Sequence, residues 1–255
     1  LDKVGARLSA AIAGFVDRRI HKAYPKAKEA AKTSEREGQA SQVRFAAGCG
    51  FYKVVSLFMI GAFLGDITET IFCRVRAGVW MSRSSVVWGP FSIVWGLAIA
   101  LVSWMLYQYR NRSDRFLFLV GTFLGGAYEY LCSVFTELVF GKVFWDYSKI
   151  PFNLGGRINL LYCFFWGIAA VVWFKAFLPK VEKAIEMIPV QAGKLLVWLM
   201  VVFMSCNIAV SCMALIRYDE RSRGIKAEAS WQQWSDTHYD DAKLMKIYPN
   251  AVEPK

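Results

Sequence analysis

Histidine occurs only twice in this chain, at His21 and His238, both outside any apolar stretch, so a histidine-based metal centre is not expected. The six cysteines, Cys49, Cys73, Cys132, Cys163, Cys206 and Cys212, form no CxxC pair, and five lie in or beside apolar runs. They read as small packing residues, not as metal ligands or a disulfide framework. No GxxxxGK[ST] run occurs, so the chain cannot itself cradle nucleotide phosphates in a P-loop. No nucleophile stands beside a base, so neither an enzyme nor a bound cofactor is expected. Charge is scarce as well: Asp, Glu, Lys and Arg make up 20% of the 255 residues, too few for an ordinary soluble surface.

Apolar residues fill the gap, at 56% of the chain with a mean hydropathy of +0.31. Five stretches are long enough to cross the roughly 30 Å hydrocarbon core, which takes about 20 helical residues. They run Val54 to Cys73, Val86 to Tyr107, Phe116 to Phe140, Ile158 to Leu178 and Leu195 to Ile216, and the second and fifth carry no charge. The expected class is all-α, a polytopic transmembrane helical bundle. A basic polar arm over residues 1–50 precedes the membrane domain over 51–216, and a polar tail over 217–255 follows it. Val4 to Val16 is short and contains Arg7, so no cleavable signal peptide is expected; Ser9 to Val16 with Val4 and Leu8 could form a surface helix, though a basic solvated arm is the simpler reading.

The net charge of +11 would raise nucleic acid as a partner of a soluble protein. Here the basic residues concentrate in the arm, the short loops and the tail, where they can face anionic lipid heads. The bilayer is the expected partner and nucleic acid is not. Near-membrane Lys and Arg divide almost equally between the two sides, so the positive-inside count fixes no orientation.

Residues 61–69 read GAFLGDITE and residues 121–129 read GTFLGGAYE. On a helix, positions i, i+4 and i+8 share a face, so Gly61 and Gly65 line up with Glu69, and Gly121 and Gly125 with Glu129. Glycines at this spacing let a second helix approach closely, and a carboxylate on their face points into the bundle rather than into lipid. After each copy come a polar loop and a WG motif, SIVWGLA at 92–98 and CFFWGIA at 163–169. Two helix-loop-helix units are therefore written in tandem. Because each contains two crossings, they are parallel repeats about an axis along the membrane normal, which lets Glu69 and Glu129 approach each other.

Two carboxylates at short range share a proton or need a cation. Arg157, delivered by the loop GKVFWDYSKIPFNLGGRINL at 141–160, is the expected partner of Glu129, with Arg83 as the alternative. In that loop Trp145 and Tyr147 suit an interfacial belt, Pro151, Gly155 and Gly156 force a turn, and Asp146 and Asn153 can bond loop backbone. Asp66 is a further acid where the second repeat has Gly126. The connector at 179–194 is expected to form a short amphipathic helix.

WDYS at 145–148, PFN at 151–153, GRI at 156–158 and FFWG at 164–167, with WGPFSIVWG at 88–96, resemble the small bacterial membrane proteins of the ABC-transporter type IV, or CmpB-like, permease family. The resemblance covers about Tyr52 to Pro189, continues loosely through the fifth span and extends to IYPN at 247–250. It implies a multi-pass protein of the bacterial cytoplasmic membrane and a permease whose ATPase is another chain, working in a complex with that chain or with further copies of itself. The family pattern falls on Gly65, Glu69, Gly89, Pro90, Glu129, Trp145, Asp146, Tyr147, Pro151, Asn153, Gly156, Arg157, Trp166 and Gly167, with Trp88 heading the WGP motif. The alternative reading is a structural or regulatory membrane protein in which the glutamates and Arg157 fix helix register; an enzyme acting on lipid or cell-wall precursors is a distant third.

Overall fold

A computed structural model describes residues 44–141 and 143–249. Most of the arm read over residues 1–50, with the surface helix considered for its start, lies outside the described residues, as does Asn250 of the IYPN motif.

Among the described residues the architecture is all-α apart from one two-residue strand pair. Helix α1 (Phe51–Ala77) and helix α2 (Ile93–Leu106), extended by a 3-10 turn to Tyr109, form one hairpin. Helix α3 (Asp114–Phe140) forms a second hairpin with α4 (Leu160–Val172), which continues through a π-helical turn at Trp173–Phe177 into α5 (Leu178–Glu186). Helix α6 (Val190–Ser222) follows, then the short α7 (Ser230–His238) and α8 (Asp241–Ile247). Among the described residues four helices are long and apolar enough to cross a membrane: Phe51–Ala77, Asp114–Phe140, Leu160–Glu186 and Val190–Ser222. Outward side chains such as Val75, Phe123 and Leu138 are exposed, as on a lipid-facing surface.

The second crossing departs from the expected Val86 to Tyr107. Its helix starts only at Ile93, leaving a shorter apolar helix, Ile93–Tyr109. Hydropathy is blind to the cause: Gly89 takes φ +82° and Pro90 follows it, and the Ser92 hydroxyl then caps the helix by accepting from Trp95 N–H. Residues 85–92 instead run as irregular chain against α6. Asn207 secures both backbone groups of Trp88, its Oδ1 accepting from the N–H at 3.0 Å and its Nδ2 donating to the carbonyl at 2.8 Å. Ser211 Oγ accepts from Val87 N–H at 2.9 Å. Non-helical backbone packed against a membrane helix survives only when its polar groups are satisfied in this way.

The fourth crossing is longer than expected. Part of the connector at 179–194 forms the expected short amphipathic helix, but in line with the fourth crossing: α5 extends it to Glu186 with Leu178 and Ile185 buried, and Pro189 caps α6. Fully buried Lys53 at the start of α1 ties this extension down, donating to Glu186 Oε1 at 2.9 Å with Glu182 at 3.8 Å. The core at this end gathers Leu57, Leu106, Leu117, Trp173, Phe174 and Val197. At the other end Ala214 and Leu215 of α6 pack with Tyr239, Leu244 and Tyr248 from the residues after the last span. Those residues fold onto the 85–92 segment, with Trp88 Nε1 donating to Tyr239 Oη at 2.9 Å.

Candidate functional site

The two hairpins make the same contacts from equivalent residues. A Cβ on Gly61 would lie 2.7 Å from Ile99 Cβ, and one on Gly121 would lie 2.5 Å from Ala170 Cβ. Gly65 is pressed against Trp95 Cβ, and Gly125 against Trp166 Cβ, with no room for a methyl group. From the other side, Gly96 lies against Phe58 and Ala62, and Gly167 against Phe118 and Thr122. The four glycines of the two GxFLG motifs are thus the seats on which the WG helices rest, four residues apart along one face.

This seating aims each tryptophan at a carboxylate. Trp95 Nε1 donates to Glu69 Oε2 at 3.1 Å, and Trp166 Nε1 donates to Glu129 Oε2 at 3.0 Å. The rings of Trp95 and Trp166 in turn face each other, 5.0 Å between centroids, and Tyr128 Oη joins the hairpins by donating to Val94 O at 2.7 Å. Glu69 and Glu129 thus flank one and the same pair of indole rings.

The second donor to each acid breaks the symmetry. Glu69 is held by Arg83, whose Nε donates to Oε1 at 2.9 Å. Glu129, 7% exposed, accepts instead from Tyr147 Oη at 2.6 Å. Burial, and next the neighbouring Glu129 charge, push the Tyr147 phenol far up, so it stays a donor across the physiological range.

The expected pairing of Glu129 with Arg157 does not form. Arg157 donates through Nη1 to Ser133 Oγ at 3.2 Å and pairs through Nη2 with Glu137. Ser133 and Glu137 lie one and two helical turns beyond Glu129 on the same face of α3. The reason is the path of the loop, in which β1 (Asn153–Leu154) and β2 (Ile158–Asn159) form a tiny antiparallel hairpin beside the end of α3. That turn sets Arg157 level with the last turn of the helix.

The remaining loop residues build this shape. Asp146 Oδ1 accepts from Ser148 N–H at 2.8 Å, and Gly156, at φ +70°, passes close to the same carboxylate. Asn153 Oδ1 accepts from Gly156 N–H at 3.0 Å while its Nδ2 donates to Ile150 O at 2.7 Å. Trp145 Nε1 donates to Arg157 O at 2.9 Å. Tyr147 stacks on Tyr162 of α4 at 4.7 Å, which holds its hydroxyl toward Glu129. Trp88 and Pro90 stand apart from these acids, in the segment against α6. Trp95, Glu137 and Asn207 were not singled out by sequence reasoning. Trp95 carried a signal, since it occupies the WG position equivalent to Trp166.

Among the described residues no cluster of three or more His, Cys, Asp or Glu could hold a metal ion. A shallow groove of about 550 Å³ lined by Phe118, Leu119, Ile168 and Val172 lies on the outer face of the second hairpin. Asp114 and Arg115 also border it, Glu69 and Glu129 do not, and its apolar wall suits lipid tails.

The model of a family described as "Putative ABC-transporter type IV" matches residues 56–212, more than half of the chain. The match begins inside α1 and ends inside α6, so it takes in both hairpins and the loop that carries Tyr147 and Arg157. No curated protein and no solved structure matches the chain.

Proposed function

The chain belongs to this ABC-transporter type IV family, and from that premise we propose that it is the membrane-spanning permease subunit of a bacterial transport system whose ATPase is a separate chain. The observation that carries the reading is the meeting of two equivalent carboxylate–indole units at the contact between Trp95 and Trp166. Each hairpin is tightly packed within itself, while contacts between α2 and α3 are far fewer. Two rigid halves with a thin joint are suited to rocking against one another, the motion that parallel repeats support in transporters. Glu69 and Glu129 sit at that joint, where a change in their charge or partners would bias the two arrangements.

The chain lacks a P-loop, so hydrolysis must come from a partner. Lys53, Glu182 and Glu186 brace α5 against the start of α1, which offers a braced surface for receiving such a partner. A few helices of this length enclose little interior, which favours assembly with a second copy or another chain. Purification from native membranes in a mild detergent, followed by identification of what co-elutes, tests the reading. A P-loop ATPase should accompany the chain. A lone monomer, with cells indifferent to deletion of nearby ATPase genes, would replace the permease by a structural membrane protein.

A further inference from the structure

Asp66 is the one acid of the first GxFLGxxxE motif that has no counterpart in the second, where Gly126 takes its place. There is no room for a side chain at 126: a Cβ would lie 2.7 Å from Cys163 Sγ. The first hairpin has the smaller, capping Ser92 at the position equivalent to Cys163, and it accommodates a carboxyl group. Asp66 is only 5% exposed, and its Oδ1 is wholly buried with no hydrogen-bond partner among the described residues. The carboxylates of Glu69 and Glu129 are each held by two side chains; Asp66 has no donor among the described residues.

The charges around it offer no compensation. On its own helix Glu69 lies one turn away, and from the 79–92 segment Arg83 approaches but is already bonded to Glu69. Helix α2 carries no charged residue, and α6 carries none between Lys194 and Arg217. An ionised carboxylate in this position would be buried, unpaired and next to a second carboxylate. The start of α2 favours a negative charge, but that effect is small beside the loss of solvation. Among the described residues no group of three or more His, Cys, Asp or Glu gathers there.

We propose that Asp66 is a proton-binding site inside the bundle, taking a proton from water onto its carboxylate and releasing it when the hairpin contact opens. As the carboxyl O–H bond forms, an O–H bond of a hydronium ion breaks and leaves water; on release the carboxyl O–H bond breaks and water takes the proton as hydronium. Asp66 directly follows Gly65, the seat of Trp95, so loading and unloading would couple to movement of that helix contact. The inference goes beyond the permease reading, since a proton held at Asp66 is measurable whether or not the chain transports anything.

The test is infrared spectroscopy of the full chain in liposomes, recorded in water and in heavy water at neutral pH. A protonated-carboxyl C=O band, shifted by deuteration, should be present in the wild type and reduced in Asp66→Asn, but retained in Glu69→Gln. If Asp66→Asn does not fold, Asp66→Glu serves instead, and the band should then move in frequency. An unchanged band in folded Asp66→Asn, or an unmoved band in Asp66→Glu, would overturn the proposal. So would a sodium- or potassium-dependent rise in melting temperature that Asp66→Asn abolishes, because the site would then hold a metal cation and not a proton.

Discussion

The indole rings of Trp95 and Trp166 meet with centroids 5.0 Å apart and planes inclined by 37°, and each ring donates its N–H to the glutamate of its own hairpin. An indole N–H is one of the few donors that an apolar helix can offer without burying a charge. The pair therefore does two things at once: it satisfies both carboxylates and forms the contact between the repeats.

The seats for those rings should be intolerant of a single methyl group. Gly65→Ala and Gly125→Ala each press a Cβ into a tryptophan side chain whose backbone has little room to retreat, and overpacking of this kind costs about 1–3 kcal/mol. Thermal melts in detergent should show clear destabilisation for both, and a smaller loss for Gly50→Ala, which faces open space and gives up only the N-cap preference for glycine.

Arg157 and Glu137 should behave as a unit. In a double-mutant cycle with Arg157→Leu and Glu137→Leu, the coupling should fall in the range of about 0.5–3 kcal/mol found for contacting residues. The same cycle between Arg157→Leu and Glu129→Gln should give a value near zero. A large coupling to Glu129 would restore the pairing expected from sequence.

Replacing Asn207 by Leu removes both partners of the Trp88 backbone. Each orphaned group costs about 1–3 kcal/mol, so the variant should melt well below the wild type, and proteolysis should cut near Trp88 sooner. Cys206→Leu, at an exposed neighbouring position on the same helix, should do neither.

Acid should loosen the C-terminal helices. The Arg217 hydrogen bond, with Arg221 as a further partner, holds the Asp236 carboxyl below its ordinary value. A depressed carboxyl contributes stability that is present above its unfolded pKa of about 3.9 and is lost as pH falls through the lower folded value. Fluorescence of Trp234 should therefore report release of α7 only below about pH 4. Asp236→Asn should be destabilised at neutral pH and should show a flatter acid limb. An acid limb identical to that of the wild type would assign it to another group.

Much of the fold was legible because membrane helices are written in hydropathy, and the tandem hairpins because glycine spacing records helix contacts directly. Gly61, Gly65, Gly121 and Gly125 needed no structure to be placed at an interface. The late start of α2 was harder to read, since Val86, Val87 and Trp88 are as apolar as any helix, and only Gly89, Pro90 and Ser92 mark the break. The partner of Arg157 was not legible. It depends on where a loop of irregular backbone sets one guanidinium along a helix face that offers Glu129, Ser133 and Glu137 in succession. Tyr147 read as a belt residue, and its role as donor to Glu129 follows only from its stacking on Tyr162.

The central claim is that the two repeats meet through Trp95 and Trp166, with Glu69 and Glu129 flanking the contact. Its most direct test uses a chain whose six native cysteines are replaced by alanine or serine, carrying Trp95→Cys and Trp166→Cys together and treated in native membranes with a short bifunctional thiol reagent. An intramolecular cross-link should form in this pair and not in Trp95→Cys combined with Phe123→Cys, which places the second thiol on the exposed face of α3. Cross-linking of the 95–123 pair with none between 95 and 166 would contradict the account.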